Sequence, residues 1–210
     1  GDTNRIAREI RYASEHFGYE YIAHCSIFGF CTGVLSGAKR NMTRTAYIFM
    51  DFDGVTHPWG EVEDFRCLPR IEAVVREFPE ARIVIASDWR MLFSMQKLMA
   101  RFSEDVRPQI AGATPHMLPK TGAELHGLRE REAMLWLAQH EANPADAHWC
   151  AIDDAPGNWL SRSRLILTDF KRGFTVEDAD ALRRMLLGFR AGTDRPLEPA
   201  VTSLWARNIA

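Results

Sequence analysis

Lysine is scarce in this chain. Lys39, Lys97, Lys120 and Lys171 are its only four, so arginine supplies nearly all of the positive charge. Neither sign is in excess. A formal net charge of −2 leaves no overall basic footprint of the kind that coats nucleic acid. Cysteine is also sparse. Cys25, Cys31, Cys67 and Cys150 form no CxxC pair, and Cys150 falls inside an apolar run. That argues against a disulfide framework and for a reducing, cytoplasmic location. No apolar run reaches the ~18 residues of a membrane-spanning helix, so no membrane partner is expected. The Gly-rich stretch 27–37 is too broken for a span, and the N-terminal region lacks the basic start and cleavage pattern of a secretory leader. His24, Cys25 and Cys31 make a thin metal-ligand set that ordinary packing explains better. There is no internal repeat.

What is present suits one globular domain. The chain has 210 residues, 46% of them hydrophobic. The arginine bias fits bidentate phosphate recognition, and equally fits a genome-wide compositional bias. Residues 1–44 read as an N-terminal appendage, with a helix over 4–17. Residues 45–190 read as the main domain, and 191–210, with Pro196 and Pro199, as a surface extension. Strands are expected near 46–50, 81–86, 109–112, 148–152 and 164–168. Helices are expected near 68–78, 90–101, 128–140 and 176–190. Leu68, Ile71, Val74, Val75 and Phe78 have the three-four spacing of a buried helix face. Thr175 and Asp178 form a capping-box pattern before the last helix. Alternation of this kind predicts an α/β fold, a Rossmann-like three-layer α/β/α sandwich with a mainly parallel sheet.

Three of the apolar runs end in polar residues. Tyr47–Met50 leads into Asp51-Phe52-Asp53-Gly54. Residues i and i+2 of a strand point the same way, so Asp51 and Asp53 can converge at its carboxyl end. Such a pair holds a divalent cation through oxygen ligands or divides nucleophile and acid/base roles. It can also be a plain Asp-Gly turn. Ala81–Ala86 ends in Ser87, and Trp149–Ile152 ends in Asp153-Asp154. In open α/β sheets, ligands sit outside the carboxyl ends of the strands. Three strands that deliver Asp, Ser and Asp at one edge describe one polar site.

With these residues in view, the chain resembles the haloacid dehalogenase (HAD) superfamily. Asp51-Phe52-Asp53-Gly54-Val55 resembles its motif I, Ser87 its motif II, and Asp153-Asp154 its motif IV. Leu68-Pro69-Arg70, Ser87-Asp88-Trp89-Arg90, Gly112-Ala113-Thr114-Pro115 and Arg129-Glu130-Arg131-Glu132 narrow the likeness. They resemble the small HAD domains of "Swiss Army Knife" RNA-repair proteins, over residues 46–187. The resemblance implies a capless, magnesium-dependent phosphatase with the Thr56–Phe65 segment as a small flap. Its substrate would be a phosphorylated molecule, with RNA or DNA ends as the candidate partners.

The same resemblance assigns roles. Asp51 is the nucleophile, and Asp53 protonates the leaving oxygen. Mg2+ is held by Asp51, the Asp53 carbonyl and Asp154, with Asp153 orienting from behind. Ser87 binds a phosphoryl oxygen, while its position also suits a helix cap. Motif III calls for a cation, which is Arg129 or Lys120. Trp89 and Arg90 are candidates to stack on a base and contact a phosphate. Trp89 is equally a candidate to pack under its helix. His57 fits a structural role better than substrate contact. Because Asp53 supplies an acid that a halide leaving group does not need, dehalogenation is disfavoured. A nucleotide, a metabolite or a phosphoprotein remains an alternative substrate, and a non-catalytic binding module remains the alternative to an enzyme.

Overall fold

The apolar run before Asp51 folds as strand β1, Ala46–Met50, buried along its whole length. Strands β2 (Ala81–Ile85) and β4 (His148–Asp153) flank it, and β3 (Ile110–Ala113) and β5 (Leu165–Leu167) form the edges. The order is β3-β2-β1-β4-β5, and all four pairings are parallel. The helices are α1 (Leu68–Glu77), α2 (Trp89–Leu92), α3 (Met95–Met99), α4 (Leu128–His140) and α5 (Val176–Arg190). This computed structural model describes residues 44–60 and 64–193. The expected helix over 4–17, the stretch 27–37, the His24–Cys25–Cys31 set and the prolines of the tail lie outside the described residues. No helix among the described residues is long and apolar enough to cross a membrane.

Both faces of the sheet are covered, which is why its central strands read as unbroken apolar runs. Ala46, Ile48 and Met50 point into one core with the apolar sides of α1 and α5. Tyr47 and Phe49 point into the other with Trp136 and Leu137 of α4. The result is the Rossmann-like α/β fold. The capping box forms as the sequence predicts. Thr175 Oγ1 accepts from the Asp178 amide at 3.3 Å, and the Thr175 amide donates to Asp178 Oδ2 at 2.8 Å.

One expected helix is broken. The segment 90–101 forms two short helices, α2 and α3, separated by Phe93 in extended backbone. Ser94 is the cause. Its hydroxyl accepts from the Lys97 amide at 3.4 Å and starts α3 afresh. A serine side chain that satisfies a nearby backbone donor competes with helix continuation.

The strand order makes the site. From β1 the chain builds outward through β2 and β3, then returns to β4 on the other side of β1. Ligand crevices in such sheets open where the order reverses. Here that point lies between the carboxyl ends of β1 and β4. Met50 is level with both Ile85 and Ile152. The Asp51 amide continues the ladder by donating to the Ile152 carbonyl at 3.0 Å. Asp51 and Asp153 are therefore side by side on the next rung.

Gly54 turns the chain away with φ of +67°, and its carbonyl accepts from Thr168 Oγ1 at 2.8 Å. A Cβ on Gly54 would fall 2.2 Å from Asp154 Oδ2. Gly54→Ala should thus do two things. Left-handed strain costs about 1 kcal/mol or more, read by urea denaturation. Displacement of Asp154 weakens divalent-cation binding, read by calorimetric titration. Wild-type values in both would show that the loop accommodates the methyl group.

Candidate active site

Asp51, Asp153 and Asp154 bring carboxylate oxygens within 4.8 Å of one another. Neighbouring carboxylates repel, and withdrawal from water raises the cost further. Burial, then the charge of Asp153, pushes Asp51 up to about 8. Hydrogen bonds from the Ser87 hydroxyl and the Phe52 amide, and the field of Arg129, act in the opposite direction. Burial likewise raises Asp153, and burial followed by the charge of Asp153 takes Asp154 to about 6. A set of oxygens made reluctant to ionise by one another suits a hard divalent cation, which would relieve that repulsion.

The two acids of β4 differ in their surroundings. Asp153 is fully buried, and both its oxygens already accept. Oδ1 takes the Ala155 amide at 2.7 Å, and Oδ2 takes the Trp159 indole at 2.8 Å and the Asn158 amide at 3.3 Å. Asp154 is half-buried and lies over Gly54.

Positive charge reaches the cluster from α4. Arg129 sits in its first turn, just after Gly127, and its field acts on both Asp51 and Asp153. Its guanidinium pairs with Asp88 at 2.7 Å and with Glu132 at 2.9 Å. Glu132 is wholly buried and also takes Arg90 at 2.7 Å and the Met117 amide at 2.9 Å. Ser87 is fully buried at the end of β2. Besides donating to Asp51, it accepts a long 3.4 Å bond from the Trp89 amide, so it also helps to begin α2.

Asp53 stands apart from the three-acid cluster. Its Oδ2 accepts from Trp89 Nε1 at 2.8 Å, and its Oδ1 faces His57 Nε2 at 3.2 Å. His57 Nδ1 is 2.9 Å from Thr56 Oγ1, which gives its only proton to the Phe52 carbonyl at 2.9 Å. By donor count, Nδ1 must donate to Thr56.

Two expected substrate contacts, Trp89 and Arg90, are turned inward. Trp89 is only 9% exposed, packed against Phe52, Phe65 and Phe93 with Arg101 over its ring. It leaves no open face for a base. The Arg90 side chain is 4% exposed and is held by Glu132 and, at 2.6 Å, the Ser87 carbonyl, so it cannot reach a backbone phosphate outside. Lys120 is exposed on a loop that its own amide ties to Glu124. Three contributors had no role assigned from the sequence: Trp159, and Asp88 and Glu132, which were quoted only as parts of motif stretches. Glu132 carried one signal, since it falls three residues after Arg129 on a helix, within ion-pair reach.

A family model described as "HAD domain in Swiss Army Knife RNA repair proteins" matches residues 47–179. The matched stretch is more than half of the chain and encloses every residue of the site, and the chain belongs to this family. Comparison with curated proteins and with solved structures found no match. Membership supports a HAD-type, phosphatase-like function on a phosphorylated substrate.

The raised Asp51 sets a pH test. The unfolded chain loses this proton near 3.8, whereas the folded chain keeps it until about 8. Stability falls with rising pH wherever the folded state holds more protons. The penalty thus builds through that window and is complete above it. Asp51→Asn has no proton to lose. With chelator present, its thermal midpoint should gain on wild type from about pH 5 to 8 and then level. Saturating magnesium should close the gap. A difference independent of pH would remove carboxylate repulsion from this account.

Proposed function

We propose that this domain is a magnesium-dependent phosphomonoester hydrolase that works through an aspartyl-phosphate on Asp51. The observation that carries the reading is the three-acid cluster at the sheet's switch point, with Ser87 bonded to Asp51 and the charge of Arg129 acting on it. The oxygen-only donor set fits magnesium. Asp51, Asp154 and the Asp53 carbonyl would hold the ion, with Asp153, whose oxygens are already engaged, orienting the set. When bound, the cation supplies the positive charge that lets an anionic carboxylate approach an anionic phosphoryl group.

The side chains do the rest. The Asp51 carboxylate attacks phosphorus as the bond to the leaving oxygen breaks, and Asp53 gives that oxygen a proton. Water then attacks the phosphorus of the acyl phosphate. Asp53 takes the water's proton, and phosphate leaves with the carboxylate restored. Ser87 turns its hydroxyl proton from Asp51 to a phosphoryl oxygen. Arg129 is the motif III cation in this reading. It is anchored by Glu132 and, at the pocket side, by the exposed Asp88, which phosphate can replace.

The favoured substrate is a phosphorylated polynucleotide end. Family membership supports it, as does the short stretch between β1 and α1, which has no length for a cap domain. Trp59 supports it as well. It is 67% exposed on the flap, with its amide held by the Phe170 carbonyl at 2.7 Å, so a ring on a fixed backbone faces solvent. A base can stack there, where Trp89 offers no face. The interior placement of Trp89 and Arg90 favours a second reading, a nucleotide or other small phosphate, because two polynucleotide contacts are lost.

A phosphate-release panel separates these readings. It should include 3′- and 5′-phosphorylated RNA and DNA, mononucleotides, phosphopeptides and an aryl phosphate. Asp51→Asn should lose more than ~10³-fold in turnover with its fold retained, since the covalent route is closed. Turnover within tenfold of wild type would take the nucleophile role from Asp51, and a wild-type protein inert on the whole panel would favour a binding module.

Trp59→Ala tests the substrate class. It should raise KM about tenfold or more for an oligonucleotide end, the equivalent of ~1–3 kcal/mol of stacking, and much less for the aryl phosphate. Equal effects on the two substrates would favour the small-phosphate reading.

A further inference from the structure

The acid/base carboxyl has demanding geometry and poor local support. Asp53 lies beyond the end of β1, and its side chain is 42% exposed. A half-exposed carboxyl on a loop samples several rotamers, yet proton delivery needs it within hydrogen-bond reach of one oxygen. We propose that His57 is a positioning residue for Asp53, acting with Trp89 as a two-point clamp on its carboxyl. The proposal rests on the assignment of Asp53 as acid/base made above.

The clamp engages both oxygens from partners that are themselves fixed. Trp89 Nε1 donates to Oδ2 at 2.8 Å, and His57 Nε2 meets Oδ1 at 3.2 Å. His57 is 1% exposed, and Phe65 and Trp89 pack against its ring at 5.2 and 5.9 Å. Its far nitrogen is tied through the Thr56 hydroxyl to the Phe52 carbonyl, so the support returns to the backbone beside the nucleophile. Within 52–57 the chain thus builds both the acid and half of its holder. The other half comes from the exit of β2, so the clamp locks two loops of the site together. The exposed remainder of Asp53 is the side left for substrate.

A histidine that only fills space would affect all substrates alike. A positioning residue for the acid acts in proportion to how much the leaving oxygen needs a proton. The test is leaving-group release in a single turnover, comparing an aryl phosphate with a good leaving group and an alkyl phosphate with a poor one. His57→Ala should slow alkyl release by about tenfold to a hundredfold, part of the ~10²–10⁴ that a general acid supplies. Aryl release should fall less than about threefold, and magnesium affinity should stay at the wild-type value. His57→Gln, which places a donor nitrogen close to the Nε2 position, should recover part of the alkyl rate. Trp89→Phe, which keeps the ring and loses the N–H, should show the same alkyl-selective loss.

Asp53→Asn is the control for the underlying assignment. If Asp53→Asn is alkyl-selective and neither His57→Ala nor Trp89→Phe is, the clamp is wrong and the acid stands. If Asp53→Asn slows both substrates equally, the acid assignment fails and the clamp with it. Equal losses on both substrates in His57→Ala, with a lowered thermal midpoint and no rescue by glutamine, would make His57 a packing residue.

Discussion

Two carboxylates side by side on adjacent strands of a buried parallel sheet repel each other, and much of the surrounding structure answers that repulsion. Asp51 and Asp153 are fixed side by side by the register of β1 and β4, because each strand is covered on both faces and cannot slip. Moving either would shift the alternation that sends Ile48 and Phe49 to opposite cores. The protein instead surrounds the pair with donors. The Phe52 amide lies 2.7 Å from Asp51 Oδ1, and Ser87 donates to the same carboxyl. Ala155, Asn158 and Trp159 occupy Asp153. These bonds lower the cost of the pair and do not remove it, since Asp51 remains near 8. The residual repulsion is what a divalent cation would relieve, so the register of the sheet sets up the place where one could bind.

The cationic side of the site has a parallel constraint. Two arginines buried against one another would also repel. Glu132, fully buried, accepts from both Arg90 and Arg129, and Asp88 holds the outer side of Arg129. Buried charge is tolerable only when paired and hydrogen-bonded. The two glutamate bonds therefore explain how Arg129 can stay charged in the first turn of α4. The network is also mechanical. Glu132 takes the Met117 amide, so the loop after β3 is held to the same helix. Removing Glu132 would leave two buried guanidinium groups without their common partner, a defect that reaches Ser87 through its carbonyl bond to Arg90.

Much of this was legible in the sequence, for a physical reason. A parallel strand buried on both faces writes itself as an apolar run, so the place where polarity begins marks its carboxyl end. Asp51, Ser87 and Asp153 could be read in that way. Thr175 and Asp178 were readable because a cap is a local interaction across three residues. The side-chain placement of Trp89 and Arg90 was not. A Trp-Arg pair after a strand has the same letters whether it faces solvent or folds inward. What decides it is tertiary: a cage of Phe52, Phe65 and Phe93 for the indole and a buried Glu132 for the guanidinium. The break in the 90–101 helix was hidden similarly. Ser94 can cap or sit within a helix, and the apolar period alone does not say which. His57 read as an ordinary structural histidine, and its bond to Asp53 emerged only when the turn brought residues four apart face to face.

The root of the short segment between β1 and α1 is tightly held, and under the proposed function that bears on how the site would select its substrate. Val55, Thr56 and His57 are buried, and Phe174 reaches back to bond the Val55 carbonyl at 2.8 Å. Gly173 stands so close that a Cβ would meet Cys67 Sγ at 2.8 Å and the Val55 carbonyl at 3.0 Å. Trp59 and Gly60, which follow, are exposed to solvent. A hinged cap selects by closing around a substrate that fits inside it. Here the base of the segment is bonded to the loop after β5 and, through His57, to Asp53. Under the proposed function, selection would then rest on what this segment presents to solvent, the exposed indole of Trp59 included. On the proposed function, the tight turn from Asp53 to His57 would both hold Asp53 in place and leave the site open to a large substrate.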